Sequence, residues 1–194
     1  IFLAHKNSFT LSVMSNPKMV DKNFDAFINS FQWTVQPTII AKTKTQPQTD
    51  TYKSPQYGYT INIPQGFWKT SATGKNIDLK IVNDGGNLIL VNVTPRQAQE
   101  YSITAHDYTA EMLESSIKPY NPNFNIIKSE RTYVDGEKAF LIYHTDSKTK
   151  LNAIECYIYY KDKAYVLTAT AKTDNFLNYE KTFLTTIKSL KFKK

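Results

Sequence analysis

The sequence predicts an α+β fold, one antiparallel β-sheet with helices packed on it. Three observations lead there. Runs rich in tyrosine and β-branched residues, such as "YTINI", "AIECYIYY" and "AYVLTATA", alternate inward and outward positions as strands do. Tight turns such as "NDGG" and "DGE" join neighbouring runs and are too short for the crossovers that parallel strands require. Two further stretches carry apolar residues at helical spacing, one among the strand runs and one after them.

In chain order, "YTINI" turns Tyr59, Ile61 and Ile63 inward, and Pro64 ends its ladder because it has no N–H to donate. In "IPQGFWK", Pro64 and Gly66 are expected to turn the chain off the sheet, leaving Phe67 and Trp68 to cover an edge or end of the core. "NIDLKIV" and "NLILVNV" form a hairpin across "NDGG". "SITAHDYTAEMLESSIK" predicts a helix over 104–117, with Thr104 at the cap and Asp107 in the acidic position of a capping box. "NIIKSERTYV" and "KAFLIYHTD" form a hairpin across "DGE", and "AIECYIYY" and "AYVLTATA" another across "KDK". A closing helix over 175–190, capped by Asp174, turns Phe183 and Ile187 toward Ile154, Cys156 and Ile158. The expected order is three strands, a helix, four strands and a helix.

The first 33 residues repeat the end of the chain. "IFLAHKNS" and "FTLSVM" read as a hairpin, and "KNFDAFINSFQW" as an amphipathic helix. Aligned with "KTFLTTIKSLKF", Phe24 meets Phe183, Ile28 meets Ile187 and Phe31 meets Leu190. Residues 1–33 therefore read as the C-terminal hairpin and helix of a first domain. Residues 34–50, with three prolines and no glycine from Thr34 to Gln56, read as an extended linker, and 51–194 as a complete domain. The apolar face of the 1–33 piece is expected to pack on the rest of that first domain, on a swapped copy, or on the second domain.

"YTINIPQGFW" at 59–68, "YVDGEKAFLIYH" at 133–144 and "AYVLTATAKTDNFLNYEKTFLTTIKSLKF" at 164–192 resemble the PsbP family, whose best-known member is an extrinsic subunit of the photosystem II oxygen-evolving complex. The resemblance covers the chain from about Thr51 onward. It implies an antiparallel sheet between helical layers and no shared catalytic residues. The lysine- and asparagine-rich, arginine-poor composition suggests a bacterial member with no photosynthetic role.

Candidate chemistry is sparse. The net charge is +7, but of 24 basic residues only Arg96 and Arg131 are arginine, the residue suited to bidentate phosphate and guanine contacts, so no nucleic-acid site is expected. Cys156 alternates with Ile154 and Ile158 and is expected to be a buried, inert thiol. His144 and Asp146 lie two apart on a strand and point the same way, which makes them weak metal candidates lacking a third ligand. His106 and Asp107 belong to a helix start, and Glu111 and Glu114 to a solvated helix face. "KPYNPNFN" presents Tyr120 and Phe124 on a proline-set loop; with Trp68 they are the candidate binding residues. No cofactor is expected.

The expected function is a non-catalytic, extracytoplasmic protein-interaction or cell-envelope-associated module, with an export signal or membrane anchor upstream. The alternatives are a metal-dependent enzyme built on His144 and Asp146 and a carrier of a small apolar ligand held between sheet and helix.

Overall fold

The computed structural model describes residues 50–193 except 75 (position 99 by backbone alone), together with the backbone of 2–4 and 7–9. The chain divides into two units, 1–43 and 44–194. In the first, β1 (Phe2–Ala4) and β2 (Asn7–Phe9) form an antiparallel hairpin, with Phe2 opposite Phe9. The helix expected within 22–33, and the linker apart from its last residue, lie outside the described residues.

Among the described residues the second unit holds nine strands: β3 (Asp50–Lys53), β4 (Thr60–Ile63), β5 (Phe67–Thr70), β6 (Ile77–Asn83), β7 (Leu88–Pro95), β8 (Phe124–Val134), β9 (Glu137–Asp146), β10 (Leu151–Tyr160) and β11 (Lys163–Lys172). Helix α1 (Ala110–Ile117) separates β7 from β8, and α2 (Phe176–Lys188) follows β11. Seven strands form one antiparallel sheet in the order β5-β6-β7-β11-β10-β9-β8. This is the α+β sandwich the sequence predicts.

One face of the sheet carries the main core. Alternation points Leu79 and Ile81, Ile89 and Val91, Leu141, Ile154, Cys156 and Ile158, and Leu167 and Ala169 to this side, each at most 1% exposed. Helix α2 lays Phe183 and Ile187 on them, both fully buried as expected. A phenylalanine ring buried this way contributes about 1.5–3 kcal/mol through the water it sheds. These side chains form one buried cluster between sheet and helix. Burial pushes the Cys156 thiol up to about 12, so it stays protonated and inert.

Among the described residues, helical elements cover part of the other face. Ala105, Leu113, Phe124, Phe140 and Ile142 form a smaller cluster beneath α1 and the 3-10 turn Ala105–Asp107. Strand β9 lies between the two clusters, so "AFLIY" is a continuous buried run from Ala139 to Tyr143.

Four sequence expectations are corrected. "YTINI" is outside the main sheet: β4 pairs with β3 in a separate hairpin that packs Tyr59 and Ile61 onto the core. The C-terminal segment closes against it, with Thr60 and Lys191 exchanging backbone hydrogen bonds of 2.8 and 2.9 Å. "FWKT" is the edge strand β5 and does not leave the sheet; Gly66, at φ +81°, completes a turn closed by the Phe67 N–H on the Pro64 carbonyl at 3.0 Å. The 104–117 helix is broken. Asp107 ties back to the Thr104 N–H at 2.6 Å, Tyr108 is extended, and Thr109 caps α1 by accepting from the Met112 N–H at 3.3 Å. The closing helix starts at Phe176, with Asn175 at its cap and Asp174 inside a preceding 3-10 turn. The first two corrections make five strands, not three, before α1 in this unit.

Candidate functional site

Strand register shows what the partly covered face presents. Across β5, β6, β7 and β11 one ladder runs Trp68, Val82, Leu88, Thr170, and the next runs Thr70, Lys80, Leu90, Thr168. A third places Asn92 opposite Val166. Trp68 is 43% exposed, and Val82, Leu88, Leu90 and Val166 are half-buried. The described helical elements of this side pack on β8, β9 and β10, which leaves this apolar and threonine-rich quarter of the sandwich without a described helix over it. Phe67 and Trp68, expected to act together, are divided by the pleat. Phe67 turns to the main core against Tyr179 and Phe183, and Trp68 turns outward.

Where the open and covered parts meet lies a half-buried polar cluster. Glu155 on β10 accepts from the Tyr157 hydroxyl at 2.6 Å and from the Thr168 hydroxyl at 3.2 Å. His144 Nε2 lies 3.6 Å from Glu155 Oε1, an ion-pair distance, and neither ring nitrogen has a hydrogen-bond partner among the described residues. The His144 ring packs on Phe124 with centroids 4.5 Å apart. Burial pushes the Glu155 carboxyl up, but His144, Tyr157 and Thr168 outweigh it and hold the group below its ordinary value. Burial, with Glu155 beside it, pushes the Tyr157 phenol well up, so it remains a donor.

The two weak metal candidates, His144 and Asp146, have separate neighbours. Asp146 accepts from Asn121 Nδ2 at 2.8 Å and from the Lys148 and Thr149 N–H groups at 2.9 Å, which ties the β9–β10 turn to the loop after α1. These bonds hold its carboxyl below the usual range, with the Thr149 N–H the strongest influence. Among the described residues no group of three His, Cys, Asp or Glu side chains is placed to hold a metal. The partner of His144 is Glu155, which sequence reasoning passed over. The available signal was a lone carboxylate inside the otherwise apolar "AIECYIYY".

Of the two aromatics in "KPYNPNFN", Phe124 is 4% exposed and part of the core, so it is removed from the candidate binding residues. Tyr120 is 90% exposed. Among the described residues no helix is long and apolar enough to cross a membrane.

A seven-stranded antiparallel sheet with a detached hairpin and α2 on one face, and a shorter helical cover on part of the other, defines a class of small α+β sandwich domains. The PsbP family profile matches residues 47–192, and the chain belongs to that family. No match is found among curated proteins. Among solved structures, the chain is similar to the cyanobacterial PsbP of Synechocystis at 12% identity and a TM-score of 0.59, over 81% of this chain and 100% of that one. It is also similar to LpqN of Mycobacterium tuberculosis, a protein involved in cell envelope biogenesis, at 11% identity and a TM-score of 0.51, over 76% and 91% of the two chains. At these identities the likeness concerns the fold.

Proposed function

We propose that this PsbP-family chain is a non-catalytic, protein-binding module that acts outside the cytoplasm in association with the cell envelope. The observation that carries the reading is the part of the sheet with no described helix over it, where Trp68, Val82, Leu88, Leu90 and Val166 share one face with Thr70, Thr168, Thr170, Lys80 and Asn92. A flat, partly apolar face bordered by polar groups suits a protein partner, with Trp68 as the aromatic contact. Tyr120 is a second contact residue. The part that LpqN plays in cell envelope biogenesis supports the location. Residues 1–33 belong to the proposal as the end of a preceding copy of the domain, a reading that the gene sequence upstream of Ile1 tests directly.

A photo-crosslinking residue at position 90, with the same residue at the exposed α2 position 177 as control, tests the surface in cells of the native host. A discrete protein adduct from position 90, weakened by Trp68→Ala and absent from position 177, is the expected result. No adduct at 90, or the same adducts from both positions, refutes it. Fractionation of those cells tests the location, and recovery in the cytoplasm refutes that part.

A further inference from the structure

At the end of the sheet marked by the β10–β11 turn, that turn, the 54–59 loop and the segment after α2 enclose an open cleft of about 430 Å³. Three lysines line it. Lys163 is paired with Asp162, whereas Lys161 and Lys193 are in no ion pair among the described residues. The Lys161 ammonium sits on a fixed support, and the Lys193 backbone is held in place. The Lys161 ammonium lies 5.0 Å from the centroid of the Tyr160 ring. Tyr160 stacks on the buried Phe192 ring at 4.3 Å and 14°, and its hydroxyl donates to the Lys193 carbonyl at 3.0 Å. The Phe192 N–H is bound to Asp135 at 2.9 Å. Tyr165, 2% exposed, forms the floor. Tyr57, half-buried, is a wall whose ring has no ring partner among the described residues.

A held Lys161 ammonium and the Lys193 side chain, both lining the cleft beside the Tyr57 wall, define the ligand's chemistry. A phosphate monoester carries about −1.5 to −2 charges at neutral pH and matches both lysines, whereas one carboxylate leaves an ammonium unmatched. Lysine binds phosphate as a point charge, and the arginine fork that recognises planar carboxylates does not line this cleft. We propose that the cleft binds a small soluble phosphate monoester, its phosphate held by Lys161 and Lys193 and its flat or sugar-like body against Tyr57. The site is distinct from the sheet face and does not rest on the protein-binding reading.

Amide NMR titration of the full chain with phenyl phosphate, inorganic phosphate and phenol tests it. Phenyl phosphate is expected to give saturable shifts at residues 57–58, 160–163 and 193, and to bind at least threefold more tightly than either other probe. Lys161→Gln and Lys193→Gln are each expected to weaken binding roughly tenfold, and Lys188→Gln on α2 to leave it unchanged; the amide spectrum of each variant verifies its fold. Shifts that do not saturate or that spread over the surface lysines overturn the site. Equal binding of inorganic phosphate or phenol overturns the composite ligand, and insensitivity to the two cleft substitutions overturns the role of the lysines.

Discussion

Replacing Glu155 with glutamine tests the polar cluster at the border of the open face. The carboxylate accepts from Tyr157 and Thr168 and faces His144, with its side chain 18% exposed. Glutamine keeps the shape and one acceptor oxygen; a hydroxyl can rotate to meet the new NH₂. What is lost is the charge on two hydrogen bonds, each worth about 1.5–3 kcal/mol to a charged group against about 0.5–1.5 kcal/mol to a neutral one. The opposing relief is that no charge need be buried. The direction of the Glu155 shift decides between them. Its carboxyl is held below its ordinary value, so the fold favours the ionised form despite desolvation. Ionisation therefore contributes stability above the unfolded value, and this is lost as pH falls through the folded one. Glu155→Gln should cost about 1–2 kcal/mol at neutral pH, or roughly 2–8 °C in Tm. The gap should close as acid titrates Glu155 in the parent protein. Urea unfolding of parent and variant at neutral and acid pH measures both. A variant as stable as the parent at neutral pH, or a gap unchanged in acid, refutes the reasoning.

Phe183→Ala, emptying a fully buried site ringed by Phe67, Phe176 and Tyr179, should cost about 3–5 kcal/mol in urea unfolding, whereas Leu177→Ala on the exposed side of the same helix should stay within about 0.5 kcal/mol. Gly136→Ala meets no atom within 4 Å, so its cost is the positive φ of +87° alone, about 1–2 kcal/mol by the same measurement. Asp146→Ala should raise hydrogen exchange at the Lys148 and Thr149 amides and leave metal content unchanged; stoichiometric metal in the parent that is lost in the variant would make His144 and Asp146 a ligand pair.

Strands were legible in the sequence where one face is buried and the other is not. β10 and β11 alternate along their length, and Ile154, Cys156 and Ile158 fall inside as the pattern requires. β3 and β5 were not, because each has four residues at a margin of the structure and only Tyr52 or Phe67 packs on the main core. The break before α1 depends on a partner 51 residues away: the Tyr108 hydroxyl bonds that of Tyr159, which draws the extended Tyr108 onto the sheet. Local propensity contains no trace of that. For the same reason Asp146 was paired with His144 by sequence spacing, whereas the true neighbour, Glu155, becomes visible only once β9 and β10 are in register.

The sheet order also governs how the chain assembles. β5 to β7 form one meander and β8 to β11 another, each built from neighbours in sequence. The pairing of β7 with β11 is the one place where the two meanders meet within the sheet, with Pro95 opposite Lys163 at one end and Leu88 opposite Thr170 at the other. That pairing is a seam whose closure must wait until the last strand has been synthesised, and loop closure over such a separation slows folding. The hypothesis that follows is that nascent chains ending before Lys163 hold the β5–β7 meander and the β8–β10 part of the other, with an unpaired β7 edge. Pulse-labelling hydrogen exchange checks it: β6 and β9 amides should gain protection before those of β7 that face β11, and simultaneous protection would mean that the sheet forms in a single step.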